Sequence, residues 1–170
     1  VFAVDGLSMP LFLSACLLFF IAAIFSLNTF NLQRPGKTRT FWTMFLLLES
    51  IVLGVFSAYN FIVFFALWEL FLIPLVVLMW RYGLEDRQKA ATNFFIYTFV
   101  GSLFMLVALL AVYLKTPALV QTGASHSFAW EHLVAVELDG KTAWWVMLGF
   151  FLAFAVKMPL FPFHTWQPDT

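Results

Sequence analysis

Five long apolar segments dominate this sequence, and each has about the length that an α-helix needs to cross a lipid bilayer. They run over residues 7–27, 41–58, 61–80, 94–114 and 143–163. About 20 helical residues span the roughly 30 Å of bilayer hydrocarbon, where every backbone group must be hydrogen-bonded within the protein. Helices satisfy that requirement within each segment, so we predict an all-α membrane protein with five transmembrane helices.

The composition supports a membrane protein and excludes several other classes. Hydrophobic residues make up 63% of the chain and charged residues only 11%, whereas about a quarter of the residues in a soluble domain are charged. The net charge of zero argues against a nucleic-acid partner. Cys16 is the only cysteine, and no Cys or His spacing is typical of a metal site or a haem attachment. We therefore predict no metal and no cofactor in this chain.

The distribution of basic residues predicts the orientation. The loops after segments one and three carry most of the basic side chains: Arg34, Lys37, Arg39, Arg81, Arg87 and Lys89. By the positive-inside rule these two loops are cytoplasmic. The long loop over residues 115–142 has more acidic than basic residues and is predicted to be non-cytoplasmic. The chain begins at Val1 without an initiator methionine, and we expect it to be part of a longer membrane protein.

Three ionisable residues, Glu49, Glu69 and Lys157, lie inside the apolar segments. Each costs about 2.5 kcal/mol or more near the bilayer centre, so such residues face a protein interior or a hydrated cavity and mark ion pathways. Glu69, in "FFALWELFLIP", is too far from either end of its segment to reach the interface. We predict that Glu69 and Lys157 form a proton-carrying pair, with Glu49 as an accessory group. The alternative is an ion pair that only holds two helices together.

Prolines follow both members of the predicted pair. Pro74 deprives the Leu70 carbonyl of its helical donor, which leaves a place for a water molecule beside Glu69. Pro159 and Pro162 follow Lys157 in "KMPLFPFHTWQP", so we expect the last helix to break just after Lys157. Broken helices at membrane depth occur where they are buried in protein or line a cavity, and transporters use them at ion sites.

Further polar groups lie near this pair in the sequence. His164 follows Lys157 by seven residues, and an imidazole can relay protons near neutral pH; the alternative is an interfacial histidine at a helix end. Tyr97, Thr98 and Ser102 could hydrogen-bond to water. Hydroxyl side chains are common in transmembrane helices, however, so we leave these three out of the predicted site.

Four stretches, "VDGLSMPL", "FFALWELFLIPL", "AATNFFIYT" and "FAVKMPLFPFHTWQPD", resemble the antiporter-like subunit M of the proton-pumping NADH:quinone oxidoreductase, respiratory complex I. The resemblance covers nearly the whole chain but about a third of a family member. It implies that the five segments are helices three to seven of a fourteen-helix subunit, with the last one broken at Pro159 and Pro162. It also implies an integral location in a bacterial plasma membrane or an organellar energy-transducing membrane.

The resemblance assigns roles to particular residues. Glu69 and Lys157 match the proton-pathway glutamate and lysine of the family, and His164 matches the first histidine of its "HxWLPDAH" motif. Asn93 stands where the family often has a lysine, and Lys89, one helical turn earlier, is a candidate replacement. Lys89 is therefore a second predicted accessory residue, beside Glu49.

The function that the resemblance implies is proton translocation without redox chemistry in this chain. NADH, FMN, iron–sulfur clusters and quinone would be bound by partner subunits, and other antiporter-like subunits, of the L and N types, would be membrane neighbours. An Mrp-type sodium/proton antiporter or another complex I-related complex is the alternative. The "ELFLIP" and "NFFIYT" stretches favour subunit M.

Overall fold

The computed structural model describes residues 2–33, 38–83, 86–116 and 127–167, and the regular elements among them are all α-helices. This confirms the predicted all-α fold. The helices are α1 (Ser8–Gln33), α2 (Thr38–Ser57), α3 (Phe61–Leu70), α4 (Leu72–Tyr82), α5 (Arg87–Tyr113), α6 (Trp130–Val134) and α7 (Gly140–Lys157).

Four spans within the described residues are long and apolar enough to cross a membrane: Ser8–Leu27, Thr38–Ser57, Phe61–Tyr82 and Arg87–Tyr113. The 18 residues of α7, which include Lys141 and Lys157, are not among them. The count of five transmembrane helices therefore stays a prediction. Arg34 and Lys37 lie outside the described residues, and the orientation also stays a prediction.

Most helix ends differ from the ends of the apolar segments. α5 begins at Arg87 rather than near residue 94, and α1 continues to Gln33 rather than ending near residue 27. Hydropathy indicates which residues lie in the hydrocarbon of the bilayer, whereas a helix ends where its backbone hydrogen bonds end. A helix can therefore continue beyond the apolar segment as polar turns in the membrane interface. The fifth segment, predicted over 143–163, is helical over Gly140–Lys157 and continues in turns through residue 167.

The third apolar segment, predicted as one helix over 61–80, consists of two helices. α3 ends at Leu70 and α4 begins at Leu72, with Phe71 between them. Phe71 keeps right-handed helical dihedral angles of −53° and −33°, so the interruption is one of hydrogen bonding. Pro74 explains it, because a proline has no N–H to donate to the carbonyl four residues earlier. The interruption lies two residues after Glu69.

α5 and α7 pack closely as an antiparallel pair, and glycines make the close approach possible. A Cβ atom added to Gly101 would lie 2.9 Å from the Cβ of Val156, and one added to Gly149 would lie 2.9 Å from the Cβ of Ala108. Small residues let helix backbones approach each other in this way inside membranes. The contact between Gly101 and Val156 sets the position of the C-terminal end of α7 along the axis of α5.

The apolar side chains of α1 are largely exposed. Leu17, Leu18 and Phe25 are 58%, 65% and 75% exposed, and many neighbours on this helix resemble them. An apolar surface of this extent is unusual on a protein in water. In a membrane it faces lipid or further protein helices, as the predicted membrane fold requires.

Residues 127–134 cover the ends of two helices. The ring of Phe128 stacks on Tyr113 at 4.0 Å, and Trp130 stacks on Phe61 at 5.5 Å. The N–H of Phe61 donates a hydrogen bond of 2.9 Å to the Phe128 carbonyl. The predicted loop 115–142 thus contains α6 and a packed layer over the start of α3 and the end of α5.

Candidate functional site

The fold brings Glu69 and Lys157 together from opposite parts of the chain. Glu69 lies in the last turn of α3, and Lys157 is the last residue of α7. The ammonium group of Lys157 interacts electrostatically with the Glu69 carboxyl group. No ion pair within 4.0 Å joins them in the described part of the chain. The two groups are therefore neighbours whose charges influence each other without direct contact.

The carboxyl group of Glu69 is incompletely satisfied. Its Oε1 atom is buried and has no hydrogen-bond partner among the described residues. Leaving a buried polar atom unpaired costs about 1–3 kcal/mol, and few such atoms occur in a native structure. An enclosed acceptor of this kind is a suitable place for a proton or a water molecule to bind.

Ser102, on α5, is the second polar group beside Glu69. Its side chain interacts with the Glu69 carboxyl group, and the residue is 2% exposed. The hydroxyl donates a hydrogen bond of 2.7 Å to the Phe99 carbonyl. Ser102 thus places beside the Glu69 carboxyl group a hydroxyl group that can both donate and accept hydrogen bonds.

Ser102 is the site residue that sequence reasoning left out. The sequence shows three hydroxyl residues close together on α5, and nothing in their spacing distinguishes them. In the structure Thr98 donates its hydroxyl to the Phe94 carbonyl at 2.6 Å, and Tyr97 accepts a hydrogen bond of 3.1 Å from Thr165. Ser102 is distinguished from the other two hydroxyl residues only because the packing of α5 against α3 places it beside Glu69.

His164 lies in the turns that follow α7. Its Nδ1 atom is buried and has no hydrogen-bond partner among the described residues. The chain around it is held against α7 and α5: the Trp166 indole donates to the Val156 carbonyl at 3.0 Å, and Thr165 donates to Tyr97. The Ala155 carbonyl, four residues before Pro159, accepts a hydrogen bond of 2.9 Å from the Leu160 N–H.

The two predicted accessory residues lie away from this centre. Glu49 is half-buried on α2, and no described residue forms an ion pair or hydrogen bond with its side chain. Lys89 is exposed in the first turn of α5 and precedes Ser102 by more than three helical turns, roughly 20 Å. The structure brings neither of them to the Glu69 carboxyl group.

No cluster of His, Cys, Asp or Glu able to hold a metal ion occurs in the described ranges. The expected absence of a metal stays a prediction, because His126 lies outside those ranges. A cavity of about 530 Å³ lies between α5 and the first half of α7, with Thr142 among mostly apolar lining residues such as Phe104, Val107 and Trp145. Neither Glu69 nor Lys157 lines it.

The chain resembles known proteins along its whole length. Residues 58–170 match the sequence family described as NADH:quinone oxidoreductase/Mrp antiporter, transmembrane. NADH-quinone oxidoreductase subunit 13 of Thermus thermophilus is 39% identical over 98% of this chain. Chain 4 of the chloroplast NAD(P)H-quinone oxidoreductase of Chaetosphaeridium globosum is 40% identical over 98% of it. A chain in the structure of respiratory complex I from Thermus thermophilus with bound NADH superposes with a TM-score of 0.82 and 37% identity, over 99% of this chain.

The chain spans about a third of the length of these relatives: 32% of the Thermus subunit, 31% of the chloroplast chain and 32% of the solved chain. The relatives are subunits of NADH- or NAD(P)H-quinone oxidoreductases, and they confirm the resemblance found in the sequence motifs. Together with the four apolar spans, they confirm that the chain is an integral membrane protein.

Proposed function

The chain belongs to the NADH:quinone oxidoreductase/Mrp antiporter transmembrane family, and we propose that the full protein translocates protons as an antiporter-like subunit M of an NADH:quinone oxidoreductase. Energy for transport comes from NADH oxidation and quinone reduction in other subunits. These subunits bind NADH, FMN, iron–sulfur clusters and quinone. This chain contributes groups that hold and pass protons, in a bacterial plasma membrane or an organellar energy-transducing membrane.

The observation that carries this proposal is the meeting of Glu69, Ser102 and Lys157, from α3, α5 and α7. A carboxylate and an ammonium group are costly at membrane depth, and proteins retain them there for function. The two charges interact in a medium far less polarisable than water, so each alters the proton affinity of the other. When one group gains a proton, the other therefore becomes more or less ready to hold one.

We assign the roles of the proton path as follows. Glu69 receives a proton, and the Ser102 hydroxyl group hydrogen-bonds to its carboxyl group. Lys157 responds to the change of charge at Glu69 and releases or takes up a proton in turn. His164, whose Nδ1 is enclosed and has no hydrogen-bond partner among the described residues, is the next proton-carrying group and follows the end of α7. Glu49 and Lys89 are accessory groups outside this centre.

The partners that we propose are the other membrane subunits of the complex, including antiporter-like subunits of the L and N types. The relatives compared above are quinone oxidoreductase subunits, which favours this assembly over an Mrp-type antiporter. The two assemblies differ in their source of energy. Transport that needs NADH identifies the first, and sodium-dependent proton transport without NADH identifies the second.

The test uses membrane vesicles that carry the full-length subunit in its complex. We expect NADH to drive acidification of the vesicle interior, and we expect Glu69→Ala and Lys157→Ala each to abolish or sharply reduce it. Positioned acid–base groups contribute about 10²–10⁴-fold to a proton-transfer rate. Trp144→Phe, at an exposed position near the start of α7, is the matched control. Full pumping in both alanine variants would refute the proposal.

A further inference from the structure

The ammonium group of Lys157 lies against two aromatic rings. Its Nζ atom is 4.5 Å from the ring centroid of Trp68 and 4.7 Å from that of Phe71. Both distances are within the roughly 6 Å over which a cation is attracted to the face of a ring. Since no carboxylate of the described residues lies within 4.0 Å of Nζ, these ring faces are the electrostatic partners that Lys157 touches directly.

The sequence explains how one helix end supplies both the rings and the carboxylate. Trp68, in the last turn of α3, and Phe71, the residue after its end, are three residues apart and keep helical geometry, so they lie on the same face. Glu69 lies between them in sequence and points from the adjacent part of the helix surface. The same turn therefore presents an acid to Ser102 and two rings to Lys157.

Both rings are held in place by other side chains. Trp68 meets the ring of Phe154 edge to face at 5.5 Å and 90°, and that of Phe64 at 5.5 Å. Phe154 lies one turn before Lys157 on α7. Phe71 packs against the cluster of Leu72, Phe94 and Trp166. Because neighbours on α3, α4, α5 and α7 fix the ring planes, the rings form a preorganised surface for a cation.

We propose that Trp68 and Phe71 form an aromatic cradle that positions the protonated Lys157 side chain beside Glu69 but out of contact with it. The inference rests on the proposed function, which makes Lys157 a proton-carrying group. A free lysine side chain samples many rotamers, whereas the cradle selects the one that keeps the ammonium group within electrostatic reach of Glu69. Trp68 and Phe71 act through Lys157 and are positioning residues.

The first test compares two substitutions of Trp68 in the full-length subunit within its complex. Trp68→Phe keeps a ring face, whereas Trp68→Leu keeps an apolar side chain without one. We expect NADH-driven pumping to fall about fivefold in Trp68→Leu, in line with the strength of one cation–π contact, and to recover most of this loss in Trp68→Phe. Trp144→Leu removes an exposed ring near the start of α7, far from Lys157 at its end, and is expected to pump normally. Equal losses in the two Trp68 variants, or no loss in either, would overturn the cradle.

A second test changes the charge distribution of the ring and leaves its shape nearly constant. Tryptophans with an increasing number of fluorine atoms, introduced at position 68 alone, have ring faces that attract cations progressively less. We expect pumping to decline stepwise with the number of fluorine atoms. The same series at Trp144 is the control and is expected to have no effect. Pumping that is indifferent to fluorination at position 68 would mean that Trp68 only fills space.

A third measurement detects the contact without relying on transport. The ¹⁹F resonance of a single fluorotryptophan at position 68 is expected to shift when Lys157→Met removes the ammonium group, while that of a fluorotryptophan at position 144 stays in place. An unchanged resonance at position 68 would overturn the contact. If instead the resonance shifts but Lys157→Ala still pumps, the proposed function fails and the cradle remains as a structural contact.

Discussion

In the part of the chain that the structure describes, a lysine and a carboxylate approach each other at each end of α7. At its start, Lys115 and Asp139 form an ion pair of 3.4 Å, with half or more of each side chain exposed. At its end, Lys157 and Glu69 influence each other without an ion pair, enclosed by aromatic rings and Ser102. The pair in direct contact lies at the surface, and the pair out of contact is enclosed between helices.

This difference shows that the distance between two charged groups does not by itself determine how strongly they interact. An exposed ion pair is screened by water and salt and contributes little. Two enclosed charges interact strongly even when they are not in contact, because the medium around them is less polarisable than water. We therefore assign a local structural role to the pair at the start of α7 and a transport role to the pair at its end.

The most severe test of this comparison removes both enclosed charges. Glu69→Leu combined with Lys157→Leu replaces the pair by apolar groups of similar size, a change that often preserves or increases stability. We expect the complex to assemble and NADH-driven proton pumping to be lost. The measurement is pumping together with the subunit content of the purified complex. Normal pumping in the double variant would show that the pair only holds helices together.

A smaller loss of pumping is expected from Ser102→Ala. This change removes the hydroxyl group that interacts with the Glu69 carboxyl group, and a typical hydrogen bond is worth about 1 kcal/mol, or about fivefold in rate. Thr98→Ala is the matched control, because Thr98 is equally buried and donates to the Phe94 carbonyl one turn earlier. If both variants pump at the same rate, Ser102 has no part in the path.

Gly101→Ala tests whether the packing of α5 and α7 supports the enclosed pair. The new Cβ would lie 2.9 Å from two carbon atoms of Val156, a stiff β-branched side chain, so the helices must separate at a cost of about 1–3 kcal/mol. We expect a lower melting temperature of the complex and reduced pumping. Gly140→Ala, with nothing within 4 Å of the added Cβ, should leave both unchanged. Equal melting temperatures for the two variants would contradict the close packing.

The smallest effect concerns the surface pair. Hydrogen bonds from the Thr142 hydroxyl and N–H lower the pKa of Asp139 from its usual 3.8, so its ionised form stabilises the folded chain above that pH. The stabilisation disappears as the pH falls through the lower pKa of the folded state. We expect Asp139→Ala to lower the melting temperature slightly at pH 7, less at pH 3, and to leave pumping unchanged. Lost pumping would contradict the comparison of the two pairs.

The sequence predicts the helical class and the enclosed pair because both depend on local patterns. An ionisable residue within an apolar segment is visible without a structure, as Glu69 and Lys157 show. The division of the third segment at Phe71 was not predicted, although Pro74 was expected to free the Leu70 carbonyl. The helical class and the enclosed pair could be predicted because the bilayer makes every polar group within it costly.

Other parts of the site depend on contacts between distant segments and could not be predicted. Trp68 and Phe71 look like ordinary apolar residues, and no local pattern shows that their rings face a lysine on another helix. Ser102 differs from Thr98 only by the neighbour that α3 brings to it. The start of α5 at Arg87 was missed because hydropathy does not detect a polar helical turn.

The most direct test of the account is NADH-driven proton pumping by Glu69→Gln in membranes that carry the full-length subunit. Glutamine keeps the shape of the side chain, still occupies the place beside Ser102 and cannot exchange a proton at neutral pH. The account predicts that the complex assembles and that pumping is lost. Unchanged pumping by the assembled complex would contradict it and would leave Glu69 as a structural residue.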